Sequence, residues 1–139
     1  SKGELPSGEL GPIGQVVLAR DFDLLTLIGD HAKSDSDHFK RWLSTITTTK
    51  IEVFKARLSS PTNFGDIYKA VINMLTSISE RTESPQLTFH LSPGTPAMAA
   101  VWILLAKTRF PAELIESSKQ EGVKTVAVPF DISAEFIPD

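Results

Sequence analysis

The chain has no cysteine among its 139 residues, which excludes disulfides and thiolate metal sites. No basic-then-apolar leader pattern opens it, and together these absences set the expectation of a cytoplasmic protein. No apolar run is long enough to cross a bilayer, so no membrane contact is expected. Basic charge is scarce: 14 Lys and Arg stand against 17 Asp and Glu, a net charge of −3. Gripping long nucleic acid through its phosphates needs a basic surface, so direct DNA binding by this chain is not expected. A short nucleotide held by backbone N–H groups is compatible with that charge.

Motifs for catalysis and metals are also missing. The three histidines, His31, His38 and His90, are scattered, and there is no HExxH spacing. No Lys-Ser or Lys-Thr pair follows a glycine loop, and there is no G-x-S-x-G elbow. No glycine-rich dinucleotide fingerprint follows the first visible strand. Glu113 and Glu116 cannot face the same way along a strand, because their separation is odd. Each is read as a solvated or edge-facing charge. No catalytic residue, metal or cofactor is therefore assigned.

What is present fits one domain with a real core: 41% of residues are apolar and 22% charged. After a polar, glycine-rich start over Ser1–Leu10, a helix is predicted for Pro12–Ala19, with Ile13, Val16 and Val17 inward. Asp23–Ile28 reads as a buried strand and Gly29–Asp35 as a polar connection. Asp35 or Ser36 can cap a helix to about Thr48, with Phe39, Trp42, Leu43 and Ile46 on one face. Ile51–Leu58 alternates apolar and polar residues as a half-buried strand does. A loop at Ser59–Asn63 precedes a long amphipathic helix from Phe64 to Glu80, whose inward face includes Ile72 and Leu75. Ala112–Ser117 and Lys124–Pro129 read as two strands. Their short link suggests an antiparallel hairpin, since a parallel crossover needs about a dozen residues.

The chain is organised around Thr88–Thr108, TFHLSPGTPAMAAVWILLAKT. It reads as a strand (Leu87–Leu91), a tight turn (Ser92–Thr95) and a helix beginning at Pro96. Gly94 permits a sharp bend or close ligand approach, Thr95 is a good N-cap, and Pro96 suits the first helical position. Such a turn aims free backbone N–H groups and a helix dipole at one point, a ready anion site. The same residues also suit a purely structural connection, and the spacing leaves both open. Ala97–Ala106 is apolar all round, which calls for cover by the sheet and neighbouring helices or by a partner subunit. Trp102 is read as core or interface.

Alternating strands and helices imply an α/β sheet with helices on both faces. The first helix has no strand before it, so a first strand is expected ahead of Ser1. Ligands of open α/β sheets sit beyond the carboxyl ends of the strands. Here those ends offer Asp30, His31 and Lys33, then Ser59, Ser60, Thr62 and Asn63, then Ser92, Gly94 and Thr95.

The stretch His90–Met98, HLSPGTPAM, resembles the signature turn of the CARF domains, the CRISPR-associated Rossmann-type nucleotide sensors. The tail Ala112–Asp139 and the opening Gly3–Gln15 resemble one subgroup. These are sensor domains at the N-terminus of sigma-54-dependent activators, including regulators of RNA-repair operons. The middle, Ala32–Pro85, matches only in layout, and the common double-glycine turn is replaced here by Ser92-Pro93-Gly94.

The resemblance implies a Rossmann-like three-layer sandwich with a mostly parallel sheet and a C-terminal β-hairpin. It implies a sensor domain over 1–131, then an exit linker over 132–139 toward a downstream AAA+ domain. It further implies a homodimer that binds a nucleotide-type ligand, a cyclic oligonucleotide or an RNA end, through Ser92, Gly94, Thr95 and Met98, with Gly11 near the first helix. A non-enzymatic regulatory module is the expected function. Two others compete: a ring nuclease cleaving cyclic oligoadenylate with Lys33 and nearby hydroxyls, and a dimerisation domain with a vestigial pocket.

Overall fold

A computed structural model of the chain describes residues 10–30, 35–56 and 63–129. The elements in order are α1 (Gly11–Ala19), β1 (Leu24–Asp30), α2 (Asp35–Leu43), β2 (Lys50–Ala56) and α3 (Phe64–Arg81). Then come β3 (Leu87–His90), α4 (Pro96–Ala106), β4 (Ala112–Ser118) and β5 (Gly122–Thr125). Among the described residues the strands form two sheets. β1 and β2 run parallel, Leu24 opposite Lys50 through Asp30 opposite Ala56. β3 and β4 are also parallel, and β5 returns antiparallel to β4. The expected α/β architecture with a mostly parallel sheet and a C-terminal hairpin is therefore found, but the sheet is divided between β1 and β3.

Alternation along the strands assigns the helices to faces. Glu113 meets Arg20 of α1, and Ser117 meets the Pro12 carbonyl, so the odd-numbered side chains of β4 face α1. Leu114, on the other side, joins the core of α3 and α4 with Ile67, Val71, Leu75, Phe89, Val101 and Leu105. On β1 and β2, Leu27 and Ile51 pack with Val17 of α1 and Leu43 of α2. Ile28 and Phe54 pack toward the α3–α4 core instead. Thus α1 and α2 cover one face and α3 and α4 the other.

Polar ties reinforce this arrangement. Arg20 holds Glu113 through two bonds, of 2.8 and 3.2 Å, and Thr125 donates to the same carboxylate at 2.9 Å. These donors hold Glu113 below the usual carboxylate range, the Arg20 bond contributing most. Glu113, read from its position as a solvated or edge-facing charge, is partly solvated and also paired with Arg20; Glu116 is exposed. Arg81, at the end of α3, likewise pairs with Glu52 of β2 at 3.1 Å. At the far end of α4, Lys107 Nζ reaches the Val128 carbonyl at 3.4 Å, where Val126 and Val128 lie against the core.

Two boundaries differ from expectation. α2 ends at Leu43, not near Thr48. Ser44 and Thr45 turn their hydroxyls onto the Lys40 and Trp42 carbonyls, and Ile46 N bonds Leu43 O, tightening the last turn. Hydroxyl side chains compete for the backbone, and a Thr-Ile-Thr-Thr-Thr run is stiff at χ1, so the helix stops. Ile46 still packs on its intended core. β5 runs over Gly122–Thr125, not Lys124–Pro129. The hairpin closes at Lys119–Glu121, where Glu121 N donates to Ser118 Oγ and Gly122 takes φ 71°. A positive φ favours glycine, so Gly122 fixes the register earlier than the hydrophobic pattern suggests.

The apolar helix α4 buries Val101, Leu105 and Ala106, and Trp102 packs on Phe89 with ring centroids 4.7 Å apart. Ala100 is exposed and Leu104 half-buried outside the core, so the protein's own layers cover only part of α4.

Burial separates two core substitutions. Leu75 is 2% exposed, whereas Ile72 is only half-buried. Leu75→Ala should cost about 2–5 kcal/mol and Ile72→Ala distinctly less. Urea unfolding of both variants measures this; equal midpoints would show that the inward face of α3 is misassigned.

Candidate functional site

Chain direction and crossover handedness locate the site. β1–α2–β2 and β3–α4–β4 are parallel crossovers with helices on opposite faces. Right-handed crossovers on opposite faces step in opposite directions, so β2 lies outward of β1 and β4 outward of β3. The strand order reverses between β1 and β3, and the carboxyl ends at such a reversal are where open α/β sheets take ligands.

The wall from β3 is the predicted turn. Thr95 has extended backbone and accepts from Met98 N at 3.3 Å, and Pro96 opens α4. Gly94 has φ 90°, and a Cβ there would lie 2.8 Å from Met98 Sδ. The positive φ favours glycine, and a Cβ there would also displace the flexible end of Met98. Met98, a predicted ligand residue, packs beneath Gly94 and against the core. Ser92 is also engaged: its Oγ accepts from Ser117 N at 2.7 Å, while Leu91 N bonds Ile115 O at 2.8 Å. These two bonds dock the turn onto β4.

Residues remote in sequence meet behind this turn. Ser117 Oγ donates to the Pro12 carbonyl at 3.1 Å and lies 2.9 Å from His90 Nε2. The hydroxyl has one proton and gives it to Pro12, so Nε2 carries the hydrogen and His90 is the donor. Nδ1 is then left as an acceptor. Burial pushes the His90 pKa down from 6.5 to about 4, which keeps the ring neutral near pH 7. His90 thus takes the hydrogen-bonded structural role read from its strand position. Gln15 Nε2 adds a bond to the Ser118 carbonyl at 2.8 Å. Gly11, with φ 72°, immediately precedes Pro12. The network therefore brings the start of α1 and Ser92 to the same end of β4.

The opposite wall is the end of β1 and the start of α2. Gly29 is buried, and a Cβ there would lie 2.5 Å from Ser36 Oγ. That hydroxyl is itself buried and, among the described residues, has no hydrogen-bond partner. A buried hydroxyl without a partner is costly and marks a place where a ligand or water could bond. Sequence reasoning named Ser36 only as a helix cap. His31, Lys33, Ser34, Ser59, Ser60 and Thr62 lie outside the described residues, and Asn63 caps α3 through Asp66 N at 3.0 Å. His38 is exposed and lies 2.6 Å from Arg41. Among the described residues, no cluster of three His, Asp or Glu could hold a metal, and no helix is long and apolar enough to cross a membrane.

A parallel sheet with helices on both faces and a glycine turn at the strand-order reversal define a Rossmann-like domain. The fold is similar to that of Enterococcus italicus Csm6 bound to cyclic hexa-2'-fluoro-hexa-dAMP, with a TM-score of 0.65 and 14% identity. The match covers 76% of this chain and 28% of that one, so the chain spans under a third of the Csm6 length. Residues 19–132 match the family of the regulator of RNA terminal phosphate cyclase, RtcR, and the chain belongs to that family. No curated protein sequence matches it.

Two outcomes test this geometry. Gly94→Val should destabilise strongly through strain and the Met98 clash, and Thr95→Ala by about 1 kcal/mol through the lost cap; differential scanning calorimetry checks both, and unchanged melting of Gly94→Val would refute the φ assignment. The His90 pKa is lower folded than unfolded, so its stabilising effect is complete above about 6.5. It is lost as pH falls from there toward about 4. Urea titrations of the protein and His90→Asn across that window should show the steeper loss in the unsubstituted protein; parallel curves would disprove a buried neutral ring.

Proposed function

We propose that this chain is the regulatory ligand-sensing and dimerisation domain of a sigma-54-dependent transcriptional activator. In this reading residues 1–131 are the sensor and 132–139 lead to a downstream AAA+ ATPase in the full-length protein. The ligand is of nucleotide type, a cyclic oligonucleotide or an RNA end, and its binding controls that ATPase. The observation that carries the reading is the pair of walls at the strand-order reversal. On one side the Ser92–Thr95 turn opens α4 with its backbone N–H groups. On the other, the Ser36 hydroxyl is buried without a partner among the described residues. Membership of the RtcR family supports a regulatory role, and the nucleotide held by the similar Csm6 structure supports the ligand class. The pairing surface is the uncovered side of α4 around Ala100 and Leu104.

The alternative is a ring nuclease acting on cyclic oligoadenylate. His90 and Ser117 form a contact that such an enzyme could use, but the Ser117 proton points to Pro12 and away from the ring. That orientation favours a binding module.

Calorimetry with cyclic tetra- and hexa-adenylate and with short RNAs ending in a cyclic phosphate tests the proposal. Binding to at least one is expected, with Ser36→Ala weakening it tenfold or more, about 1.4 kcal/mol, in a protein that stays folded. No binding to any probe would leave a dimerisation domain with a vestigial pocket, and linear products would identify a nuclease. Sedimentation at high micromolar concentration should show a dimer, which Leu104→Glu should dissociate.

A further inference from the structure

Among the described residues two large apolar side chains are exposed, Leu18 at 54% and Phe64 at 44%. Leu18 is near the end of α1, close in sequence to Arg20, which meets Glu113 near the amino end of β4. It stands at the end of the sheet away from the candidate site, and a lone surface leucine is ordinary. Phe64 is placed differently. It is the first residue of α3, and α3 ends with Arg81 bonded to Glu52, near the amino end of β2. So α3 runs opposite to the strands, and Phe64 stands at their carboxyl ends.

α4 runs the same way as α3. It leaves the carboxyl end of β3 at the Ser92–Thr95 turn and leads toward the amino end of β4. Ile67, one turn into α3, and Met98, in the first turn of α4, belong to one core, as do Val71 and Val101 further along. The two helices are parallel neighbours on one face, and packed helices stand about 8–10 Å apart between axes. Phe64 is therefore beside the turn proposed above to take the ligand.

The Phe64 ring is held from behind. It stacks on Tyr68, with centroids 6.3 Å apart and planes inclined at 17°, and Tyr68 packs on the core. An apolar pair four residues apart steadies a helix, but that role needs only the inner face of Phe64. Much of the ring stays in solvent. Gly65 adds a second sign. Its φ is not positive, and a Cβ there would meet only Asn63 Oδ1, at 3.6 Å, an ordinary contact. Neither conformation nor space calls for glycine, although alanine is the better helix former. Its effect is to leave the helix surface beside Phe64 without a side chain.

We propose that Phe64 is a stacking platform for one nucleobase of the ligand; this rests on the nucleotide reading of the neighbouring turn and extends it. A flat ring, backed by a second and open outward, takes a base because every base has a π-face. Asp66 in the same helical turn disfavours an anion there, so the base is the part of a nucleotide that fits. Stacking on a neutral base needs no basic surface, which suits a chain of net charge −3.

Two probes separate this proposal from the reading on which it rests. Adenosine has a base and no phosphate, so it tests the platform without the turn. In NMR spectra of the protein with 13C-labelled phenylalanine, millimolar adenosine should shift the Phe64 ring signals well beyond those of Phe22 and Phe110, whose rings already face Arg20 and Arg109. Cyclic hexa-adenylate tests platform and turn together. Phe64→Leu keeps the apolar bulk and loses the flat face, so calorimetry should show binding weakened about tenfold, and Phe64→Trp should restore it. A ring that only steadied α3 would change melting and leave affinity alone. If cyclic hexa-adenylate does not bind while adenosine still moves Phe64, the platform stands and the turn's part in the ligand fails. Phe64 signals that move no more than those of Phe22 and Phe110 would overturn the platform, as would equal binding of cyclic hexa-adenylate by Phe64→Leu.

Discussion

Side-chain packing between the β1–β2 pair and the β3–β4–β5 sheet is what joins the described residues. In an undivided parallel sheet, main-chain hydrogen bonds run through every strand. Among the described residues none link β1 to β3, and the two parts are joined by α1 and α2 above and α3 and α4 below. Apolar contact is non-directional, so the relative setting of the halves needs directional help. The Arg20–Glu113 and Arg81–Glu52 pairs supply it, one on each face. Each is partly solvated, so they orient the layers more than they stabilise them.

The candidate site lies where the strand order reverses. The carboxyl ends of β1 and β3 border the reversal, and the residues there differ from those of the core. Gly94 sits at positive φ over Met98, and Ser36 keeps a buried hydroxyl without a partner among the described residues. Behind them the Ser117 hydroxyl joins three chain segments, at Pro12, His90 and its own strand. A rigid support beneath a lightly satisfied surface is the arrangement that ligand recognition uses, since the support fixes geometry while the surface keeps bonding capacity.

Much of this was legible in the sequence where the signal was local. The long amphipathic period fixed α3 from Phe64 to within one residue of its end at Arg81. The Thr95-Pro96 cap and Gly94 located the turn because backbone conformation there depends on the residues themselves. The C-terminal hairpin followed from the shortness of its link. Boundaries governed by competition were less legible: α2 stops where hydroxyls take backbone carbonyls, and β5 begins where Gly122 closes the turn. Contacts set by topology left no sequence signal. His90 and Ser117 are 27 positions apart, and Arg20 and Glu113 are 93 apart. Ser36 read as a cap because its burial against Gly29 depends on how α2 docks.

One helix connects the candidate site to the segment that follows β5. α4 starts at the glycine turn and ends where Lys107 grips the carbonyl of Val128. Its eleven residues make about three turns, roughly 16 Å of stiff rod. The two ends are therefore phased to each other: one residue added between them would swing Lys107 about 100° around the axis and lengthen the rod by roughly 1.5 Å. Val128 would lose its anchor while the turn kept its form. The length of α4 is thus constrained from both ends at once, as a gear tooth is by the two wheels that it joins.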